Sequence, residues 1–277
     1  MIILSSNTDL HNKVSKDFAA AWPDDIYLID ANTVPPVEAE LDRCIGILDG
    51  SGPEDIIKAA ITTHLSHLVQ VNTPFLEEEL AASCRIITNH KQFHEDPWGT
   101  VFSKKNALQG LGNFTSIFKT YDQRVVLFGE LDKYLARVPR SDTIREPIVT
   151  IASELFNNVI HAQGRLQIPV HGAGKLFIIQ DGERLLIGCT DPYGTLDPPK
   201  NLLRLTETYE RGIADTMNMD IRKGGAGIGC RMMFDFSMSL YLGVEIGKHT
   251  TVGCVLPMGK SLRAQASTAK NLHVFKK

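Results

Sequence analysis

The sequence predicts an α/β protein built from two units, and three observations predict it. Over residues 1–91 short apolar runs alternate with helical patterns at close spacing, the signature of a parallel sheet covered on both faces. Over residues 141–259 the order is helix, hairpin, helical segment, glycine-rich loop, helix and hairpin. The stretch between, 92–140, carries turn signals at Asp96-Pro97-Trp98-Gly99 and Gly110-Leu111-Gly112, and reads as a largely helical linker.

In the first unit, strands are expected at Ile2–Ser5, Ile26–Ile29, Cys44–Leu48, His67–Val71 and Arg85–Thr88. Helices are expected near Asp9–Ala21, Val37–Arg43, Glu54–Leu65 and Phe75–Ala82. The linker contributes one further helix over Tyr121–Arg137, ended before Pro139, with apolar positions that suit packing on the second unit or on another chain.

The second unit opens with a helix signalled by Ser141-Asp142 and Pro147 and running to about Ala162. Glu154, Asn158 and His161 recur along it at i, i+4 and i+7 and so share one face, apart from the packing surface of Ile148, Ile151, Ala152, Leu155, Val159 and Ile160. Asp181-Gly182 between two β-runs marks a hairpin whose second strand delivers Asp191 and Gly194. A helical tendency follows from about Asn201 to Arg222, then Gly224-Gly225-Ala226-Gly227-Ile228-Gly229 enters a helix near 230–236. Clustered glycines at a helix start let backbone N–H groups approach a phosphate. Leu240–Glu245 and Thr251–Leu256 flank Gly247-Lys248 as a closing hairpin, and the tail, 260–277, is polar and basic and reads as flexible or partner-ordered.

Composition narrows the partners. Net charge is −3 and the sequence pI about 6.3, which gives no overall pull toward nucleic acid or an anionic membrane. There is no apolar run long enough to span a bilayer and no secretion-signal pattern, so a cytoplasmic protein is expected. The cysteines at 44, 84, 189, 230 and 254 form no CxxC pair, which argues for buried thiols over zinc or disulfides. His64 and His67 lack a third metal ligand and read as solvated helix surface.

Two resemblances follow from these residues. Asp49, Thr73 and Lys91 are expected at the ends of successive strands, a layout similar to a response-regulator receiver domain, in which that Asp is the phosphoacceptor. Where a receiver has an acidic pair after its first strand to hold Mg²⁺, this chain has Ser5-Ser6-Asn7-Thr8, so a receiver-like module that is not phosphorylated at Asp49 is expected.

Residues 141–259 resemble the GHKL, or Bergerat-fold, ATPase domain of histidine kinases, DNA gyrase and, most closely, the anti-sigma-factor serine kinases. The α/β sandwich of that family is the fold implied. Glu154 through His161 matches its N-box, Asp191 with Gly194 its adenine-side box, and Gly225 through Gly229 its phosphate-side glycine box. The resemblance implies that Asn158 holds Mg²⁺ on the ATP phosphates, Glu154 acts as general base, Asp191 accepts from the adenine amino group, and Gly225, Gly227 and Gly229 cradle phosphate. Arg222 or Lys223 would add charge. The family's adenine box has glycines two and four residues after its Asp, whereas this chain has Tyr193 and Thr195 there.

The function implied is an ATP- and Mg²⁺-binding signalling regulator that phosphorylates a regulatory protein partner, with a homodimer as a further assembly. The altered boxes leave open a non-catalytic interaction module. A histidine kinase with a receiver at its amino end would need a phosphoacceptor such as His94, in Phe93-His94-Glu95-Asp96-Pro97, where Pro97 lies too close for the family's spacing.

Overall fold

The computed structural model describes residues 1–33, 40–50, 52–102, 113–138, 141–166, 172–212, 228–259 and 268–277. The chain is a mixed α/β protein whose described strands form one ten-stranded mixed sheet.

The first half supplies β1 (Ile2–Ile3), α1 (Thr8–Lys13), α2 (Lys16–Ala20), β2 (Tyr27–Asp30), β3 (Cys44–Leu48), α3 (Pro53–Thr63), β4 (His67–Gln70) and α4 (Leu76–Thr88). The single helix expected over 9–21 is two, because Ser15 caps a new start by accepting the Phe18 N–H through its hydroxyl at 3.1 Å. Of the helix expected over 37–43, residues 37–39 lie outside the described residues and Leu41–Arg43 is a 3₁₀ turn. His67 is buried in β4 and His64 is the left-handed cap of α3, so neither lies on a solvated helix.

The strand expected at Arg85–Thr88 is the last turn of α4. Leu76, Leu80, Cys84 and Ile87 line one side of this helix, and Ala82 and Ile86 a second, each against its own apolar cluster. Burial on two sides overrides the β-propensity of Ile86-Ile87-Thr88. Arg85 then fastens the turn by donating to the carbonyls of Thr100 and Val101.

The middle stretch is not purely helical: α5 (His90–Glu95) and α6 (Pro97–Val101) precede β5 (Phe114–Phe118), and α7 (Arg124–Leu135) follows. Gly110-Leu111-Gly112 lies outside the described residues. Then come α8 (Arg145–Leu166), β6 (Gly174–Gln180), β7 (Arg184–Asp191), α9 (Pro198–Arg211), α10 (Ile228–Phe236), β8 (Ser239–Glu245), β9 (His249–Pro257) and β10 (Asn271–Lys276). Both predicted hairpins form, with Gly182 and Gly247 at positive φ in their turns.

Strand order is β1-β2-β3-β4-β10-β8-β9-β7-β6-β5. The sheet therefore runs unbroken past the boundaries drawn at 91 and 140. β1 to β4 are parallel and in sequential order, whereas a receiver-like unit would have the order 2-1-3-4-5. β10 takes the fifth place. It runs antiparallel to β4 and parallel to β8, with Leu272 opposite both Leu68 and Leu240.

Residues 271–276 of the predicted tail are thus a central strand, which the sequence hides because its polar residues are buried. Asn271 and His273 are both fully enclosed. Asn271 accepts the Gln70 N–H at 3.0 Å and donates to Ser239 Oγ at 3.1 Å, while His273 donates through Nε2 to Glu79 at 3.3 Å. Lys270, just before the strand, donates its ammonium to the carbonyls of Asp235 and Ser237 at the end of α10.

Helices cover both faces. α3, α7, α8, α9 and α10 share one apolar cluster with Cys44, Leu48, Leu240, Leu242, Leu272 and alternate residues of β6 and β7. On the opposite face α1, α2 and α4 pack over β2 and β3, and α4, α5 and α6 over β6 to β10. α7 enters the first cluster through Leu127, Leu131 and Leu135, leaving Val125 81% exposed. Four of the cysteines are buried, Cys230 is half-buried, and all five are free. Among the described residues no helix is long and apolar enough to cross a membrane.

Candidate functional site

The site expected in the second half centres on α8. Ile148, Ile151, Ala152, Leu155, Phe156 and Val159 are buried against the sheet and fix the roll of this helix. The opposite face then presents Glu154 half-buried and Asn158 and His161 exposed, with the i, i+4, i+7 sharing that the sequence predicts.

α10 meets α8 at its first turn. Gly229 sits so close to Glu154 that a Cβ on it would come within 2.1 Å of Glu154 Oε2. Any side chain there would push the carboxylate away, so this glycine is spent on contact with Glu154. Gly225 and Gly227, together with Gly224, Arg222 and Lys223, lie outside the described residues.

Burial pushes the Glu154 carboxyl up from its ordinary range, and the Arg124 guanidinium, followed by His161, opposes the rise. Arg124, at the start of α7, donates to Asn157 Oδ1 at 3.0 Å and to Ser153 Oγ at 2.8 Å. Its guanidinium also lies over the Phe128 ring at 5.2 Å and near those of Tyr121 and Phe156. The sequence reading missed Arg124, since nothing local marks a residue that acts across to another helix.

Asp191 ends β7 and is 8% exposed. Burial raises its carboxyl to about 6, against the Tyr193 N–H, which donates to Asp191 Oδ1 at 2.9 Å. Tyr193 is tied down in turn: its hydroxyl accepts from Gln163 Nε2 of α8 at 2.8 Å and donates to the Gly172 carbonyl at 3.2 Å. The loop after Asp191 is thereby bound to the helix bearing Glu154.

Gly194 serves packing within the chain. Its φ is +58°, and a Cβ would come within 2.3 Å of the Glu245 carbonyl oxygen and 2.5 Å of the Gly247 nitrogen. Its carbonyl accepts the Gly247 N–H at 3.2 Å, which locks the Asp191 loop onto the β8–β9 turn. Gly194→Ala combines left-handed strain with overlap against backbone and is expected to lose about 2 kcal/mol or more in urea unfolding. A loss under roughly 0.5 kcal/mol would mean the loop is not clamped.

The donor that α8 offers a cation is the exposed Asn158 amide oxygen. A single neutral oxygen fits Mg²⁺ as an ion held otherwise by nucleotide phosphates and water. Among the described residues no group of three or more His, Cys, Asp or Glu side chains could hold a metal by itself.

The first half has a separate cleft of about 240 Å³ at the ends of β1 to β3, lined by Ser6, Asn7, Asp30, Asn32, Leu48 and Asp49. Asp49 is exposed at its rim. Beside it stands Asp30, absent from the sequence reading because it ends β2. The hydroxyls of Ser5 and Ser6 and the Ser6 N–H all donate to its carboxylate, and although burial acts the other way they hold its carboxyl below the ordinary range.

Thr73 and Lys91 do not complete a trio with Asp49. Thr73 is buried and its hydroxyl accepts from Asn271 Nδ2 at 3.3 Å, while Lys91 is exposed on α5 because the strand expected before it is helical. His94, also on α5, turns toward the sheet, its Nδ1 2.8 Å from Thr251 Oγ1 and its Nε2 buried. Burial, then the neighbouring His249, lowers the His94 imidazole to about 4.

Comparison of the chain with protein-family models, with curated proteins and with solved structures returned no match.

Proposed function

We propose that the chain binds ATP with Mg²⁺ against α8 and the first turn of α10 and transfers the γ-phosphoryl group to a hydroxyl of a regulatory protein, as a cytoplasmic signalling regulator. The observation that carries this reading is the contact between Gly229 and the Glu154 carboxylate. It joins two boxes that lie far apart in the chain, and the N-terminus of a helix longer than two turns favours anionic groups beside it.

On this reading Glu154 takes the proton of the attacking hydroxyl as its oxygen bonds to the γ-phosphorus. The bond from that phosphorus to the bridging oxygen breaks, and ADP leaves with the electron pair. Asn158 contributes an amide oxygen to the cation, and Asp191 accepts from the base. Mg²⁺, when bound, neutralises charge on the phosphate oxygens. The first half departs from a receiver in its strand order, and on this reading Asp49 is not phosphorylated, which the burial of Thr73 against Asn271 and the place of Lys91 on α5 support.

A second reading is a non-catalytic interaction module on a Bergerat-like frame. The tie from Tyr193 to Gln163 and Gly172 favours it, because that side chain stands where the family has glycine and is held in place by bonds within the chain.

Thermal unfolding with ligand separates the readings. ATP with Mg²⁺ at 100 times Kd should stabilise the fold by about 2.7 kcal/mol by linkage, and Mg²⁺ alone should do nothing measurable. Asn158→Ala should weaken the Mg²⁺-dependent part. The shift should also shrink as pH falls through about 6, where Asp191 takes up a proton and ceases to be a full acceptor. No shift at millimolar nucleotide would leave the second reading in place.

A further inference from the structure

We propose that Arg231 is a positioning residue for bound nucleotide: from α10 it grips the end of α9 and so fixes the first turn of α10 at the place where Gly229 meets Glu154. This rests on the reading of that turn as the phosphate side of the site. A contact made by glycine brings no side chain to hold the two helices together, so the anchor of the turn lies elsewhere.

The opposite side of α10 carries it. Two positions along a helix turn through about 200°, so Arg231 points away from α8 when Gly229 faces it. Its guanidinium donates to the Thr208 carbonyl in the last turn of α9, where a cation is favoured, and stands over the Tyr209 ring at 4.0 Å from the centroid. Asp235, one turn further along α10, closes the ring by accepting from Arg231 Nε at 3.3 Å and from the Tyr209 hydroxyl. One planar head thus meets a carbonyl, a carboxylate and an aromatic face together, which an ammonium does not reproduce.

The rest of α10 is held by other means. Met233 and Phe234 bury its middle, and its last carbonyls accept from Lys270. Arg231 sets its beginning. On the proposed reading the base meets Asp191 on β7 and the phosphates meet the start of α10, so a turn released from α9 weakens the hold on phosphate and spares the base.

Titration calorimetry of the full chain with ATP and Mg²⁺, and separately with adenosine, tests this. Arg231→Met should weaken ATP about tenfold and adenosine less than about twofold. Arg231→Lys, which keeps the charge without the fork or the stack, should stay about fivefold or more below wild type for ATP. Tyr209→Leu leaves every charge in place and should weaken ATP by about threefold or more, again with adenosine unmoved. Wild-type ATP affinity in folded Arg231→Met overturns the proposal. So does recovery by lysine to within about twofold of wild type, which would make charge the agent, and so does an equal loss of ATP and adenosine, which would make Arg231 a support of the fold alone. Where Arg231→Met does not fold, Tyr209→Leu decides by the same comparison of ligands. If the wild type binds neither ligand, the proposed function fails, and amide exchange still decides whether Arg231 fixes the turn: Met232 and Met233 should exchange about tenfold faster in Arg231→Met with Leu240 and Leu242 unchanged, and unchanged rates at Met232 and Met233 would refute the grip.

Discussion

Replacing Glu79 by alanine is expected to destabilise the protein by about 3–5 kcal/mol, measured by urea unfolding at neutral pH. Glu79 is 1% exposed, in the first turn of α4, and accepts from Ser239 Oγ at 2.7 Å, Tyr241 OH at 2.9 Å and His273 Nε2 at 3.3 Å. These donors sit on β8 and β10, so one carboxylate ties the helix of the first half to two strands of the second. Its removal strands the donors away from water, and the cost of unpaired buried groups exceeds that of a lost surface contact.

The same cluster sets an acid limit on the fold. Burial, followed by the nearby His273, holds His67 well below the ordinary imidazole value, and His67 and His273 approach through their Nδ1 atoms at 3.1 Å. A base with a depressed folded pKa contributes stability that is complete above the unfolded value and is lost as pH falls below about 6.5. For Glu79, burial is outweighed by its hydrogen bonds and its folded pKa is lowered, so its contribution falls away as pH drops further through 4.5. Stability should therefore decline in two stages on acidification, with the lowered His94 imidazole adding to the first and the raised Asp191 carboxyl opposing it, and His67→Phe should make the first shallower. A His67→Phe variant whose stability follows the wild-type profile between pH 7 and 5.5 would contradict the account of this cluster.

The second large effect is chemical. Glu154→Gln should reduce phosphoryl transfer by about 10²–10⁴-fold, the range for loss of a positioned base, while leaving nucleotide affinity within about threefold. Glutamine keeps the shape against Gly229, so affinity and fold serve as internal controls. Equal transfer by wild type and variant would remove Glu154 from the chemistry.

Legibility in the sequence followed the range of the forces involved. The two hairpins were readable because Asp181-Gly182 and Gly247-Lys248 dictate their turns within four residues. The shared face of Glu154, Asn158 and His161 was readable because α8 is long and its apolar positions leave one register. α4 was misread at its end because its second apolar side packs on Phe93, Phe102 and Tyr241, residues a local window cannot see.

β10 was missed for a related reason. Asn271 and His273 are polar because they complete a network with Gln70, Thr73 and Glu79, some two hundred positions earlier in the chain. The same holds in the site. Asp30 gains its neighbours Ser5 and Ser6, and Arg124 its anchors Ser153 and Asn157, only after folding.

The central claim is that a nucleotide sits between the Asp191 loop, α8 and the start of α10. Photolabelling with 8-azido-ATP and Mg²⁺, followed by peptide mapping, tests it most directly. The account predicts label on the peptide spanning Asp191 to Leu196 or on α8, suppressed by excess ATP and by Asp191→Asn. Label that ATP does not suppress, or label confined to the cleft beside Asp30 and Asp49, would contradict it.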